Sequence, residues 1–162
     1  GKPVVPQAPA MIEAHEIELA QESWGKAVVE VGAAPTWREA HELAVKLVED
    51  HYLFEGGTLL FCPTKAADQQ FRVRLKEAVS YFVGRDADHE EDKGFALEPW
   101  TSVRFENTGT VARGDVGIAM GNYFFGRADG SELKVEYSFV YIRGAGEGLK
   151  IQLHHSALPY QH

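Results

Sequence analysis

Four strand-like segments joined by short turns fill the second half of the chain, and no other pattern in the sequence restricts the fold as strongly. The segments cover residues 101–111, 115–126, 132–142 and 149–157. They are rich in β-branched and aromatic residues, which favour strands, and the turns between them contain Gly and Asp. Turns of this length and composition join neighbouring antiparallel strands. The sequence therefore predicts a meander of four antiparallel strands.

Two amphipathic helices are predicted before this sheet. Apolar residues recur at three- and four-residue spacing between residues 11 and 31, which places them on one helix face. A second helix starts at Thr36, because Thr36 and Glu39 form a capping box in which each side chain can bind a backbone amide of the first turn. The glycine-containing segment at residues 55–57 is expected to end this helix.

Residues 58–84 are predicted to form a short strand and a third helix. Residues 58–64 are an apolar run closed by Pro63. Residues 71–84 change from strand-like alternation to helical spacing, which we interpret as a short helix. Helices followed by an antiparallel sheet predict an α+β fold. In such a fold a strongly curved, mainly antiparallel sheet can wrap around the helices as a cone with a pocket inside.

Length and charge limit the domain organisation and the partners. The 162 residues suffice for one domain with a buried core. We predict a single domain over residues 11–160, after a linker or disordered segment at residues 1–10.

The formal net charge of −8 argues against nucleic-acid binding, which needs clustered Lys and Arg. No apolar run approaches the length of a membrane span. Because Cys62 is the single cysteine, multi-cysteine zinc sites are excluded.

The last predicted strand carries adjacent histidines and a serine. Side chains alternate across a strand, so His154 and Ser156 should share one face, whereas Ile151 and His155 should share the other. Two ligands of one metal ion must converge at about 2 Å from it, which adjacent residues of a regular strand do not do. No other histidine lies in an HExxH-like spacing. The pattern therefore does not predict a protein-bound metal, and the strands offer hydroxyls instead, Tyr123 among them.

Several segments resemble the iota-class carbonic anhydrases, a branch of the NTF2-like superfamily related to the association domain of calmodulin-dependent kinase II. The segments, in chain order from about Trp24 to Tyr160, are LLFCPTKAADQQFR, SYFVG, EDKGFALEPWTSVRFEN, AMGNYFF, KVEYSFVYI and LHHSALPY. The resemblance implies an NTF2-like cone and the reversible hydration of CO2 to bicarbonate, with no metal and no other cofactor. It leaves the compartment open, and it suggests a plastid or another organelle of an alga.

The same resemblance places the pocket hydroxyls of the family on Thr64, Tyr81 and Ser156, which we take as candidate catalytic residues. His154 and His155 are the candidate substrate-binding residues. The family motif HHSS reads HHSA here, so Ala157 stands where a second serine is expected. Our hypothesis is that the three hydroxyls hold one water while a histidine accepts or relays its proton.

Two other functions fit the sequence. A homodimer is expected, and the chain could be a non-catalytic association module, because the third predicted strand of the meander, residues 132–142, has apolar or aromatic residues on both faces. An isomerase or cyclase of the ketosteroid-isomerase type would instead need a carboxylate base in the pocket. Glu106 and Glu136 are the strand candidates for that base.

Overall fold

A computed structural model of the chain describes residues 11–54, 58–143 and 148–162, together with Gly1 and Pro3. Within these residues, three α-helices, one short 3-10 helix and one five-stranded sheet form the predicted α+β fold. The helices are α1 (Ala14–Ala33), α2 (Trp37–His51), α3 (Leu75–Val83) and the 3-10 helix Phe95–Leu97. The strands are β1 (Leu60–Cys62), β2 (Ser102–Arg113), β3 (Val116–Gly126), β4 (Glu132–Arg143) and β5 (Leu149–Ala157).

Two boundary predictions fall outside the described residues. These are the end of the second helix at residues 55–57 and most of the linker at residues 1–10. The single domain over residues 11–160 stays a prediction. None of the helices in the described part of the chain is both long and apolar enough to cross a membrane.

The helices form where the apolar spacing predicted them, with small shifts at their ends. Thr36 caps α2 as predicted, because its hydroxyl oxygen accepts the backbone N–H of Glu39 at 3.2 Å. Helix α1 begins at Ala14 and continues through Gly32. A side chain at Gly32 would place a Cβ atom 2.4 Å from the carbonyl oxygen of Ala96. Glycine therefore lets α1 approach the 3-10 helix closely.

The sheet has the strand order β1-β5-β4-β3-β2. Strands β2 to β5 form the predicted antiparallel meander. Strand β1 adds to the other side of β5 in parallel, with Phe61 opposite His154. This pairing brings the chain after β1 to the end of β5.

A β-bulge in β5 decides which of its side chains face the helices. Ile151 pairs with Tyr141 and Leu153 pairs with Val140, so Gln152 is an extra residue without its own partner on β4. As a result Ile151 is buried together with His154 and Ser156. The prediction that Ile151 shares a face with His155 is therefore wrong, because the bulge shifts the alternation by one residue.

One face of the sheet is buried against the helices. The side chains of Val135, Tyr137, Phe139 and Tyr141 alternate along β4 and are all nearly inaccessible to solvent. Trp24 of α1 lies at the centre of this core, stacked on Tyr123 with ring centroids 5.7 Å apart. The core is therefore dominated by aromatic rings, several of which carry a polar group into its interior.

Candidate active site

A small cavity lies between the end of β1, helix α3 and the inner face of the sheet. Its volume is about 10 Å³, close to the smallest space that holds one water molecule. Apolar rings and a proline form part of its wall, and hydroxyl groups and an imidazole form the rest. The lining residues are Trp24, Phe61, Pro63, Phe82 and Phe95, with Thr64, Tyr81, Tyr123, His154 and Ser156.

Thr64 and Ser156 meet at this cavity because of the parallel pairing of β1 and β5. Strand β1 ends before Pro63, whose ring nitrogen cannot donate a hydrogen bond to the sheet. Thr64 then lies in the turn that follows. Its Oγ1 atom is 2.5 Å from Oγ of Ser156. The two hydroxyls thus form a direct hydrogen bond at the cavity wall.

Tyr123 extends this hydroxyl pair into the core. Its Oη atom is 2.5 Å from Oγ of Ser156 and 3.0 Å from Nε2 of His154. Burial raises the pKa of Tyr123 well above its usual value, although the hydrogen bond to Ser156 acts in the opposite direction. The phenol is therefore protonated at neutral pH and has a hydrogen to donate.

His154 is a buried imidazole with both ring nitrogens in hydrogen bonds. Nδ1 is 2.9 Å from Oη of Tyr52, and Nε2 contacts Tyr123. The ring is stacked between Phe61 and Phe139, with centroid distances of 4.8 Å and 4.2 Å. Burial lowers the pKa of His154 to about 3, and the neighbouring His155 contributes in the same direction. His154 is therefore neutral at physiological pH and is a weak base there.

Tyr81 reaches the cavity from α3. Its Oη atom accepts the backbone N–H of Lys65 at 3.2 Å, which leaves the phenolic hydrogen available. Burial raises the pKa of Tyr81, and hydrogen bonding to Thr64 opposes this shift. The ring is stacked on Phe95 with centroids 5.5 Å apart. Tyr81 is thus held as a neutral donor beside Thr64.

A buried ion pair holds the segment that links Thr64 to α3. Arg72 is fully buried and donates two hydrogen bonds of 2.8 Å to the carboxylate of Asp92. The same carboxylate accepts the hydroxyl of Ser80, the residue before Tyr81, at 2.5 Å. The backbone N–H of Arg72 donates to the carbonyl oxygen of Phe61 at 2.7 Å. This network joins β1, the segment after Thr64 and α3.

His155 and Ala157 lie on the other face of β5. His155 is exposed and lines a shallow surface groove with Ala157 and Ser138. The structure therefore brings Thr64, Tyr81, Ser156 and His154 together and separates His155 from them. The position of the missing second serine of the motif faces away from the cavity.

No carboxylate lines the cavity among the residues that the structure describes. Glu106 is exposed and pairs with Arg104, and Glu136 is exposed on the outer face of β4. Within the same residues, no group of three or more His, Cys, Asp or Glu side chains lies close enough together to hold a metal ion.

A larger groove lies at the surface beside α2 and α3. Its volume is about 500 Å³, but its polar rim consists of surface charges such as Lys76 and Asp88, which pair with each other at 2.9 Å. The converging hydroxyls make the smaller cavity the better candidate for chemistry.

Two further residues of the site, Tyr52 and Trp24, are not indicated by the sequence pattern. Tyr52 follows the last residue of α2 and forms an isolated bridge to Ile151. Trp24 lies in the apolar stripe of α1, which predicts a core residue, and it also donates its indole N–H to Oη of Tyr52 at 3.1 Å. An aromatic residue with a polar group in a buried stripe is a signal that an internal partner is needed.

Comparisons with known proteins show the family to which the chain belongs. The model of the family described as metal-independent carbonic anhydrase matches residues 15–158. The metal-independent carbonic anhydrase of Nostoc sp. (strain PCC 7120) is 34% identical over an alignment that covers 98% of this chain and 78% of that protein. The crystal structure of a cyanobacterial iota-carbonic anhydrase complexed with bicarbonate is 33% identical. It superposes with a TM-score of 0.92 over 98% of this chain and 99% of that one.

More distant structures show the fold alone. A putative dehydratase of the NTF2-like family from Streptomyces avermitilis has a TM-score of 0.56 at 12% identity, over 91% of this chain and 96% of that one. A putative calcium/calmodulin-dependent protein kinase II association domain from Xanthomonas campestris has a TM-score of 0.53 at 23% identity, over 97% and 95%. The predicted NTF2-like fold is confirmed. The family model matches residues 15–158, which is nearly the whole chain. The chain therefore belongs to the metal-independent, iota-class carbonic anhydrases.

Proposed function

We propose that this carbonic anhydrase hydrates CO2 in the small cavity, with Thr64, Tyr81 and Ser156 as the catalytic hydroxyls and His154 beside them. One observation carries the proposal. Three hydroxyl groups from separate parts of the chain converge on a space of about 10 Å³. The apolar rings of Phe61 and Phe95 complete the wall and suit CO2, which has no net charge. Because the cavity as it stands holds about one water molecule, CO2 enters when these side chains move apart.

The cavity must activate water without a strong base. Among the described residues that line it, His154 has a pKa lowered to about 3, and burial keeps the phenols of Tyr81 and Tyr123 protonated. Bulk water has a pKa of about 15.7, so none of these groups can hold a free hydroxide at neutral pH. We therefore favour a proton shuttle through neutral hydroxyls over removal of the proton by a histidine.

A hydroxyl can accept one hydrogen bond while it donates another. In the proposed step the water oxygen forms a bond to the carbon of CO2. One water proton passes to Oγ of Ser156, the proton of Ser156 passes to Oγ1 of Thr64, 2.5 Å away, and the proton of Thr64 passes to an oxygen of CO2. The product is carbonic acid, which releases a proton to solvent and becomes bicarbonate. Atoms and charge balance, and no group in the cavity ionises.

Tyr81 has a separate role in this scheme. Its Oη atom accepts the Lys65 N–H and keeps its own hydrogen, so Tyr81 can donate to the CO2 oxygen on which negative charge grows. A fixed donor in a dry cavity stabilises such charge more than water does. Tyr81 is thus proposed as the oxyanion donor, while Thr64 and Ser156 carry the proton.

A stopped-flow assay of CO2 hydration tests the function, with the metal content measured on the same sample. We expect the wild-type chain to be active, and we expect activity to survive dialysis against a strong chelator. Loss of activity that only one divalent ion restores would contradict the metal-free scheme. The matched comparison is between Ser156→Ala, in the cavity, and Ser138→Ala, on the outer face of β4.

We also propose that the chain is a homodimer in which the outer face of the sheet contacts a second copy. Ile118 and Met120 of β3 are exposed on this face, Met120 by 55%. Met120→Glu should convert the dimer to a monomer in light scattering, because a buried unpaired charge is costly. A wild-type chain that is monomeric at micromolar concentration would contradict this proposal.

A further inference from the structure

A hydrogen-bonded chain runs from the core to the cavity. Its members are, in order, Trp24, Tyr52, His154, Tyr123, Ser156 and Thr64. Every one except Thr64 is buried. Each hydroxyl or neutral imidazole in such a chain can exchange its donor and acceptor roles. The donor-to-acceptor direction of the hydrogen bonds is therefore set by a member whose role is fixed.

Trp24 is that member. An indole nitrogen donates a hydrogen bond and cannot accept one. The Trp24 N–H therefore donates to Oη of Tyr52, at 3.1 Å. The ring cannot rotate away, because it is stacked on Tyr123 and packed edge-on against Phe82 and Phe139. The first bond of the chain has a fixed direction.

The Tyr52 hydroxyl accepts this first hydrogen bond, and this sets its role in the second one, to the imidazole of His154. Among the described residues its hydroxyl has two hydrogen-bond partners, the Trp24 indole and Nδ1 of His154. If Nδ1 carried a hydrogen and donated it, the phenolic hydrogen of Tyr52 would be buried without an acceptor. A buried donor without an acceptor destabilises the folded chain. Tyr52 therefore donates to Nδ1, which must be the bare nitrogen.

We infer that Trp24 and Tyr52 are positioning residues that fix His154 in the tautomer with its hydrogen on Nε2. They thereby direct every hydrogen of the hydrogen-bonded chain towards the cavity. With the hydrogen on Nε2, His154 donates to Tyr123, Tyr123 donates to Ser156, and Ser156 donates to Thr64. Thr64 and Tyr81 then hold two hydrogens and share at most one bond between them. At least one hydrogen is therefore left for the cavity.

The direction matters for the reaction. A cavity that presents hydrogens attracts the oxygens of CO2 and bicarbonate, whereas the opposite tautomer would turn hydroxyl lone pairs towards them. This role in catalysis rests on the proposed function of the cavity. The tautomer itself does not, because it can be measured in a protein that has no activity.

The test is nuclear magnetic resonance of the full chain labelled with ¹⁵N-histidine at neutral pH, where long-range ¹H–¹⁵N correlations distinguish protonated from bare ring nitrogens. The signals of His154 are those lost in His154→Gln. We expect a protonated Nε2 and a bare Nδ1 in the wild type. A hydrogen on Nδ1, or a mixture of both tautomers, would overturn the inference. An inactive protein with the Nε2 tautomer would uphold it and refute the proposed function.

Tyr52→Phe tests the cause. We expect it to give a mixture of tautomers and to lower kcat about tenfold, which corresponds to the loss of about one hydrogen bond. Tyr141→Phe is the matched control, because Tyr141 is equally buried and its hydroxyl has no hydrogen-bond partner among the described residues. It should change neither the tautomer nor kcat. An unchanged tautomer in folded Tyr52→Phe would show that Tyr52 does not set it.

Discussion

The hydroxyl oxygens of Thr64 and Ser156 lie 2.5 Å apart, although the two residues are 92 positions apart in the chain. The contact exists because β1 joins the sheet in parallel beside β5, with Cys62 opposite His155. Each hydroxyl is a donor and an acceptor at once. Together with Tyr81 they give the cavity a route for a proton that requires no ionised group.

Thr64→Val and Ser156→Ala should each lower kcat/KM for CO2 hydration, by about 10² to 10³-fold. Because the two hydroxyls act as one unit, the double variant should be scarcely slower than either single variant. Stopped-flow rates on the four proteins provide the measurement. Losses that multiply in the double variant would mean that the hydroxyls act independently.

Ala157→Ser restores the second serine of the family motif. It should leave kcat within about twofold of the wild type, which is a change of under about 0.5 kcal/mol in the activation free energy. The side chain lies on the outer face of β5, beside His155. Its hydroxyl therefore cannot reach the cavity. A large gain in kcat from this single change would show that the outer face takes part in the reaction.

The free energy of unfolding should depend on pH through His154. The pKa of this imidazole falls from the usual 6.5 to about 3 in the folded chain. The unfolded state therefore binds the proton first, and the folded state loses stability as pH falls from about 6.5 to about 3, by at most about 1.4 kcal/mol per pH unit. Denaturant unfolding of His154→Gln should show a weaker pH dependence across this window.

Ser138→Ala provides the control for that experiment. It removes no titratable side chain and lies on the outer face of β4, so it should leave the slope of stability against pH unchanged. Equal slopes in the wild type and His154→Gln would mean that His154 binds protons alike in the folded and unfolded chains.

Breaking the buried ion pair should destabilise the chain strongly. Asp92→Asn removes the carboxylate that contacts the buried Arg72 guanidinium at 2.8 Å and leaves it the longer contact to Glu91 at 3.8 Å, at a cost of about 3–5 kcal/mol. Lys46 and Asp50 form an exposed pair with the same 2.8 Å contact, so Asp50→Asn should cost less than about 1 kcal/mol. Thermal or denaturant unfolding separates the two cases. Similar losses in both variants would show that burial does not decide the effect.

The sequence predicted the parts of the site that depend on local pattern. Alternation along β5 correctly placed His154 and Ser156 on one face and His155 on the other. The bulge at Gln152 was not predictable, because it depends on how β4 and β5 pair. The parallel pairing of β1 with β5 was missed for the same reason. Contacts between distant segments follow from the packing of the whole fold, and spacing along the chain does not reveal them.

The roles of Tyr52 and Trp24 could not be predicted from the sequence either. Tyr52 lies just after α2, where nothing in the spacing points to an interior contact. Trp24 fits the apolar stripe of α1. Its indole N–H indicates that an internal partner is needed, but the stripe does not identify Tyr52 as that partner. In the structure the direction of the hydrogen-bonded chain begins with these two residues.

The most direct test of the site is a crystal structure of this chain with bicarbonate soaked in at neutral pH. We predict that the anion lies in the small cavity, within hydrogen-bond distance of Thr64, Tyr81 and Ser156, with Phe61 and Phe95 against it. Bicarbonate bound on the outer face beside His155, with the cavity holding water alone, would contradict the proposed site.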